Sequence, residues 1–281
     1  MDNIKAYYKF ILLIFVGMPV LAYSQKNFEN AHTRAIYEFL YKTNPEQTEF
    51  IKSDLMYLDI GENVSKFYSR YEQVRDSIGD EGLRKSLSPF EINELRRGFA
   101  RGTRPIYYNF QKKRKTTVTS NFSFLFTYYN ESRQMPEWEI GDETKVILGY
   151  TCQKATANYL GREWIVFFTP EIPINQGPWK LWGLPGLIVQ AMDADNFFNF
   201  TLKGFEQLKL PVPIIFIHKT YDGKEYEKKD KEKFQQMEKM YYSNREEFMS
   251  FFLGMKLISS ATADGRKIER RAIPYIPLEP Y

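Results

Sequence analysis

Apolar and polar positions alternate along most of the chain, and they change to a helical period in only two places. Residues 33–42 alternate loosely and predict a strand that Asn44-Pro45 ends. Residues 54–60 and 63–68 predict two more, with Gly61 between them. Residues 106–111 and 116–129 flank the basic run 112–115, and the second is rich in the strand formers Thr, Val, Phe and Tyr. Residues 138–140 and 145–148 follow. Residues 150–158 pair with 162–168 across Leu160-Gly161. The stretch Trp164-Ile165-Val166-Phe167-Phe168 is apolar on both faces, as in a strand covered on two sides. Residues 187–192, 197–205 and 214–218 complete the strands.

The helical period appears first near Ser69 and runs to about Ile78, where Gly79 and Gly82 break it. Ser88, Pro89 and Glu91 form a start signal for a second helix ending near Gly98. Together these predict a helical insertion over about 69–104. From about 224 to 255, Phe234, Met237, Tyr241, Phe248, Phe252 and Met255 recur at helical spacing and predict a long C-terminal helix docked on a sheet. Ser243-Asn244 is a point of interruption, and Glu227 and Lys231 form an i,i+4 pair on this reading. The fold class expected is α+β and β-rich.

Residues 169–192 break the pattern. Pro170, Pro173 and Pro178 keep the backbone extended and remove hydrogen-bond donors. A Pro-Gly turn then sits inside an apolar run, with Pro185 and Gly186 suited to the central positions of a type II turn. Tight turns are usually polar because they face water. This one carries Leu184, Leu187 and Ile188 after Trp179 and Trp182, so it is expected to pack against the body of the protein.

Composition narrows the reading. Aromatic residues make up 17% of the 281, which favours strands. Hydrophobic content of 43% against 26% charged excludes a disordered chain. Lys5 and Lys9 precede the apolar run 10–21, and Ala22-Tyr23-Ser24 fits the small-x-small cleavage rule. A signal peptide over 1–24 and a mature chain from Gln25 are expected, with no transmembrane anchor left after cleavage. Cleavage removes two positive charges and one negative charge from the formal +4, leaving +3. That charge is spread along the chain and is no nucleic-acid footprint. Cys152 is the only cysteine, so no intramolecular disulfide forms and the fold relies on its core.

Several motifs carry a family resemblance. Residues 183–188 read GLPGLI, preceded by FTPEIPI at 168–174 and Gly177-Pro178. Upstream stand LDIG at 58–61, SKFYS at 65–69 and GYTCQKA at 149–155; YIPLE closes the chain at 275–279. The chain resembles the GLPGLI family of exported bacterial proteins over nearly its whole mature length, with Ile276 where an Asn is common. The family has no established activity. The resemblance implies one domain over 25–281, in the periplasm or at the cell surface of a Gram-negative bacterium, often encoded near outer-membrane transport components. The order of elements is also similar to periplasmic lipoprotein carriers. That similarity implies a curved, half-barrel-like antiparallel sheet around a helix.

Candidate chemistry is sparse. His32 and His218 are far apart and have no paired cysteine, so no metal site and no cofactor are expected. A Cys152–His218 nucleophile pair competes with the simpler reading of Cys152 as a small buried hydrophobe. No G-x-S-x-G elbow, phosphate-binding loop or dinucleotide motif is present. Lys154 shares strand parity with Cys152 and is expected to point inward toward Glu171, forming a structural pair that fixes the crossing loop, with a catalytic pair as the sharper alternative. Trp164, Trp179 and Trp182 either line a hydrophobic site or fill the core. With Glu171, Leu184, Pro185 and Leu187 they form the expected binding surface, and Lys154, Gly183 and Gly186 the structural motif around it. The leading expectation is a non-enzymatic binding protein for a lipid, a hydrophobic peptide or an outer-membrane partner. The alternatives are an assembly module of an outer-membrane transport complex without a ligand cavity, and a hydrolase.

Overall fold

The computed structural model describes residues 25–123, 125–217, 220, 223–255 and 274–280. The expected signal peptide and His218 lie outside these residues. Twelve strands form one sheet: β1 (Gln25–Tyr41), β2 (Lys52–Ile60), β3 (Val64–Ser69), β4 (Ile106–Phe110), β5 (Lys115–Phe122), β6 (Leu125–Ser132), β7 (Glu139–Ile147), β8 (Tyr150–Tyr159), β9 (Arg162–Thr169), β10 (Leu187–Asp193), β11 (Phe198–Ile217) and β12 (Glu227–Lys228). Their spatial order is β12-β6-β5-β4-β3-β2-β1-β11-β10-β9-β8-β7. Neighbours are antiparallel except for β12, which runs parallel to β6, so the sheet is mixed rather than purely antiparallel.

The sheet is bent. The Tyr159 hydroxyl at the end of β8 donates to the Gln134 carbonyl, two residues beyond β6, at 3.1 Å. Nine strand-to-strand steps separate β8 from β6, which in a flat sheet is roughly 43 Å. Only a sheet curled upon itself brings these ends into contact. The main core lies in the concavity. There Phe200 of β11 stacks on Phe39 of β1 at 4.2 Å and meets Phe67 of β3 and Trp164 of β9. A smaller cluster lies on the opposite face. Ala31, Ile214 and Phe216 from the first half of β1 and the last half of β11 pack on Tyr108 and Phe110 of β4. A three-residue slip in the β1–β11 register, where Ala31 faces Val212 but Thr33 faces Gln207, absorbs the bend between the two halves of this ribbon.

Four helices complete the fold: α1 (Arg70–Arg84), α2 (Pro89–Arg96), α3 (Lys231–Ser243) and α4 (Arg245–Leu253). The first two form the expected insertion, but α1 runs on through Gly79 and Gly82, which do not break it: both are buried, against Arg96 and Ile92. Ser88 and Glu91 make the reciprocal cap at the start of α2, with Pro89 in its first turn. The expected long C-terminal helix is two helices. Asn244 leaves helical geometry (φ −144°, ψ 81°), and its side chain accepts from the Glu247 N–H to start α4. Phe234 of α3 and Phe248 of α4 close on Phe122 of β5 inside the concavity. Glu227 belongs to β12 and pairs with Lys229, not with Lys231. Residues 116–129 likewise form two strands, turned at Ser123 with φ 63°.

Candidate functional site

The segment 170–186 links β9 to β10 and folds into the concavity instead of turning tightly outside it. Gln176 to Trp182 are all buried. The Trp179 carbonyl accepts from the Asn109 side chain of β4 at 3.0 Å, and the Ser65 hydroxyl of β3 donates to Gln176 Oε1 at 3.2 Å. The local turn differs from type II. The Gly186 N–H bonds back to the Leu184 carbonyl at 2.8 Å, a three-residue turn centred on Pro185, and Gly186 does not carry a positive φ. Gly186 is required by close approach instead: a Cβ there would lie 2.0 Å from the Thr169 carbonyl oxygen. The positive angles fall on Gly183 (φ 97°) and Trp179 (φ 57°). For a tryptophan that conformation costs roughly 1–2 kcal/mol, and the ring is held between Trp164 at 5.5 Å and Tyr159 at 6.3 Å.

The strained Trp179 precedes Lys180, a lysine that is 2% exposed. Its ammonium meets Glu131 of β6 at 2.5 Å as a charge contact without hydrogen-bond alignment, and it donates to Glu279 at 2.6 Å and to the Tyr129 hydroxyl at 3.2 Å. Lys231 at the start of α3 pairs with Glu131 at 2.8 Å and with Glu279. Burial alone would push the Lys180 pKa down, but the two carboxylates outweigh it and hold it above the ordinary lysine value. Glu279 is held below the usual carboxylate range: the two lysines overcome its desolvation. The quartet ties the crossing segment, β6, α3 and residues 274–280 together. Arg162 clamps the same tail, donating to the Leu278 and Pro277 carbonyls at 3.0 and 2.5 Å while pairing with Asp193 at 2.9 Å.

Under this clamp lies a cavity of about 410 Å³. Its wall is mainly aromatic, with Phe39 and Phe200 from the centre of the sheet, Phe67 of β3, Phe234 of α3, and Trp179. Tyr275, Ile276 and Leu278 of the tail close one side, with Tyr275 stacked on Tyr242 at 5.0 Å. Lys42, Lys52, Thr103, Lys180, Glu238 and Glu279 supply the polar atoms. Desolvation raises the Glu238 carboxyl to about 7, against the opposing pull of Lys180 and a hydrogen bond with Tyr275. A second, shallower depression of about 750 Å³ on the outside is bordered by Pro173, Pro185, Gly186, His32 and Glu62.

The residues singled out from sequence divide among these places. Trp164, Leu184 and Leu187 are buried in the core beside the crossing segment, and only Trp179 of the tryptophans reaches the cavity. Trp182 packs under the Arg133 guanidinium at 4.5 Å and donates to the Gln134 carbonyl. Pro185 is exposed at the outer depression. The expected Lys154–Glu171 pair does not form. Lys154 pairs in register with Phe167 and so leaves β8 on the face opposite the one that Ala157 and Trp164 share, where it reaches Glu143 of the solvated edge strand β7 at 2.6 Å, and Glu171 accepts from the Thr151 N–H at 2.7 Å. Sequence reasoning missed Lys180, Glu131, Glu279, Lys42 and Glu238. Lys180 alone left a signal, as the one charge between two tryptophans in a stretch, 172–192, that carries no other.

Cys152 and Asp54 are both engaged structurally. Cys152 is buried in β8 and burial raises its thiol, which keeps it a thiol. Asp54, raised to about 6 by desolvation, accepts from the Ser69 hydroxyl at 2.8 Å and from Thr103. Ser69 also caps α1, so this set fastens the insertion to β2. Among the described residues no cluster of His, Cys, Asp or Glu is placed to hold a metal ion, and no helix is long and apolar enough to cross a membrane.

Residues 161–190, which span β9, the crossing segment and the start of β10, match a family described as "Protein of unknown function (Porph_ging)". No curated protein matches the chain. Two solved structures of PNGF-II, in C2 and P21 space groups, are similar over 76% and 75% of this chain, with TM-scores of 0.49 and 0.48 and identities of 12% and 13%. The matched region spans 34% of each PNGF-II chain, about a third of its length.

Proposed function

We propose that this is an exported, non-enzymatic binding protein that holds a small apolar ligand in the cavity between the curled sheet, α3 and residues 274–280. The observation that carries the reading is the cavity itself. Its 410 Å³ falls in the lower part of the roughly 300–1,000 Å³ of ligand sites, and its wall is aromatic with a few polar groups. The N-terminal pattern and the hexapeptide at residues 183–188 support export and membership of the GLPGLI family, hence a periplasmic or surface location in a Gram-negative bacterium. The bent sheet with helices in its concavity supports the likeness to half-barrel lipoprotein carriers. On this reading Trp179 lines the site, while Trp164, Leu184 and Leu187 form the rigid floor that positions it. The second reading, a docking module for an outer-membrane transport component, is favoured by the exposed Phe90 and Leu95 of α2 and Phe99 just beyond it.

Native mass spectrometry of protein purified from its own cell envelope tests the choice. A retained lipid or hydrophobic peptide of cavity size supports the binding reading. A bare monomer that also fails to take up added apolar molecules overturns it.

A further inference from the structure

Three lysines line the cavity, and their charges are met differently. Lys180 is neutralised by Glu131 and Glu279. Lys52 is exposed. Lys42 is 7% exposed, and among the described residues it has no carboxylate partner. Its ammonium lies 5.5 Å from the centroid of the Phe50 ring. A largely buried lysine is normally paired; here the stem is enclosed while the ammonium still reaches solvent, and an aromatic face alone replaces only part of what a carboxylate gives. The nearby carboxylate of Asp54 is taken up by Ser69 and Thr103.

The backbone fixes where this charge sits. The Lys42 N–H donates to the Phe197 carbonyl at 2.9 Å, which pins the residue just beyond β1. Lys52 pairs in register with Tyr41, so both lysines belong to the same end of the β1–β2 ladder. From there the wall continues through Phe39, Phe198, Phe200, Phe67 and Phe234 without another unpaired cation. Glu238 adds little repulsion, because desolvation favours its neutral form.

We infer that the cavity takes a single-chain amphiphile with a carboxylate head, of the fatty-acid class, its tail among the phenylalanines and its head on Lys42, with Lys52 assisting. A volume of 410 Å³ suits one chain and excludes a multi-chain lipid. The inference rests on the ligand-binding reading above and adds the head group and its sign.

The test is displacement of the neutral dye N-phenyl-1-naphthylamine from the purified protein by dodecanoate and by dodecanol, two chains of one length that differ in charge. At about pH 6, where the acid is ionised and Glu238, raised to about 7, is largely protonated, dodecanoate is expected to bind about tenfold tighter. Lys42→Met is expected to cut that preference to under about threefold and leave dodecanol unchanged, while Lys42→Arg retains it. If Lys42→Met does not fold, Lys42→Gln gives the same reading. Equal binding of dodecanol and dodecanoate by the wild type, or an undiminished preference in the neutral variant, overturns the inference and leaves the binding reading standing. A wild-type protein that takes up neither dye nor chain overturns both.

Discussion

Gly186→Ala isolates what the hexapeptide does for the fold. The added Cβ would lie 2.0 Å from the Thr169 oxygen, 2.5 Å from the Thr169 carbonyl carbon and 2.9 Å from the Pro170 nitrogen. All three are main-chain atoms, so no rotamer change relieves the clash. An ordinary contact begins near 3.4 Å, so the end of β9 and the start of β10 must separate by about 1.4 Å. That separation pulls at the Leu187 N–H bond to the Ile172 carbonyl and the Ile188 N–H bond to the Gln176 carbonyl, which hold the crossing segment in the concavity. Overpacking of about 1–3 kcal/mol and two hydrogen bonds at about 1 kcal/mol each give an expected loss of about 3–5 kcal/mol. Gly98→Ala is the control, because nothing lies within 4 Å of its Cβ position, and a change within about 0.5 kcal/mol is expected. Urea unfolding reads both as a shift of midpoint at constant slope. A Gly186→Ala loss under about 1 kcal/mol would show that the approach of the two strands is soft, and the argument for this glycine would fail.

Other tests address the charges. Lys180→Met leaves Glu131 and Glu279 facing each other with only Lys231 between them. A loss of about 3–5 kcal/mol is expected, and adding Glu131→Gln and Glu279→Gln should restore most of it. A thermal unfolding curve unchanged by Lys180→Met would refute the role of the quartet. Glu238 titrates near 7 in the folded state, above the ordinary glutamate value, so the folded protein holds its proton more tightly than the unfolded chain. Its contribution is harmless below about pH 4.5 and becomes destabilising as pH rises to about 7, reaching on the order of 2–3 kcal/mol. Glu238→Gln should therefore gain on the wild type between those limits, and a stability difference that does not change with pH would sink the assignment.

Alternation alone located most of the strands, because a half-buried strand must show a period of two. It failed where a break leaves no compositional trace. Ser123 turns β5 into β6 without Gly, Pro or an Asn-Gly pair, and only its positive φ records the event. In the other direction, residues 197–205 and 214–218 read as two strands, yet β11 is continuous, because the register slip against β1 leaves 208–211 unmatched, Pro211 among them, while Pro213 faces Asn30. The cavity was less legible. Its aromatics read equally as core, and its charges find partners nearly a hundred residues away, as in Lys180 with Glu279. Lys154 misled because Cys152, though buried, does not mark the concave face: Lys154 pairs with Phe167, opposite the face that Ala157 and Trp164 share.

The tail clamp has a consequence for folding. Residues 275–279 complete the chamber and carry the carboxylate that answers Lys180. Until residues 275–279 dock, the barrel-like hollow is therefore unroofed and its buried lysine half-compensated, however well the rest of the sheet has formed. Pairing of the strands and closure of the chamber are thus separable events, and the second depends on one short extended segment held by Arg162 and Lys180.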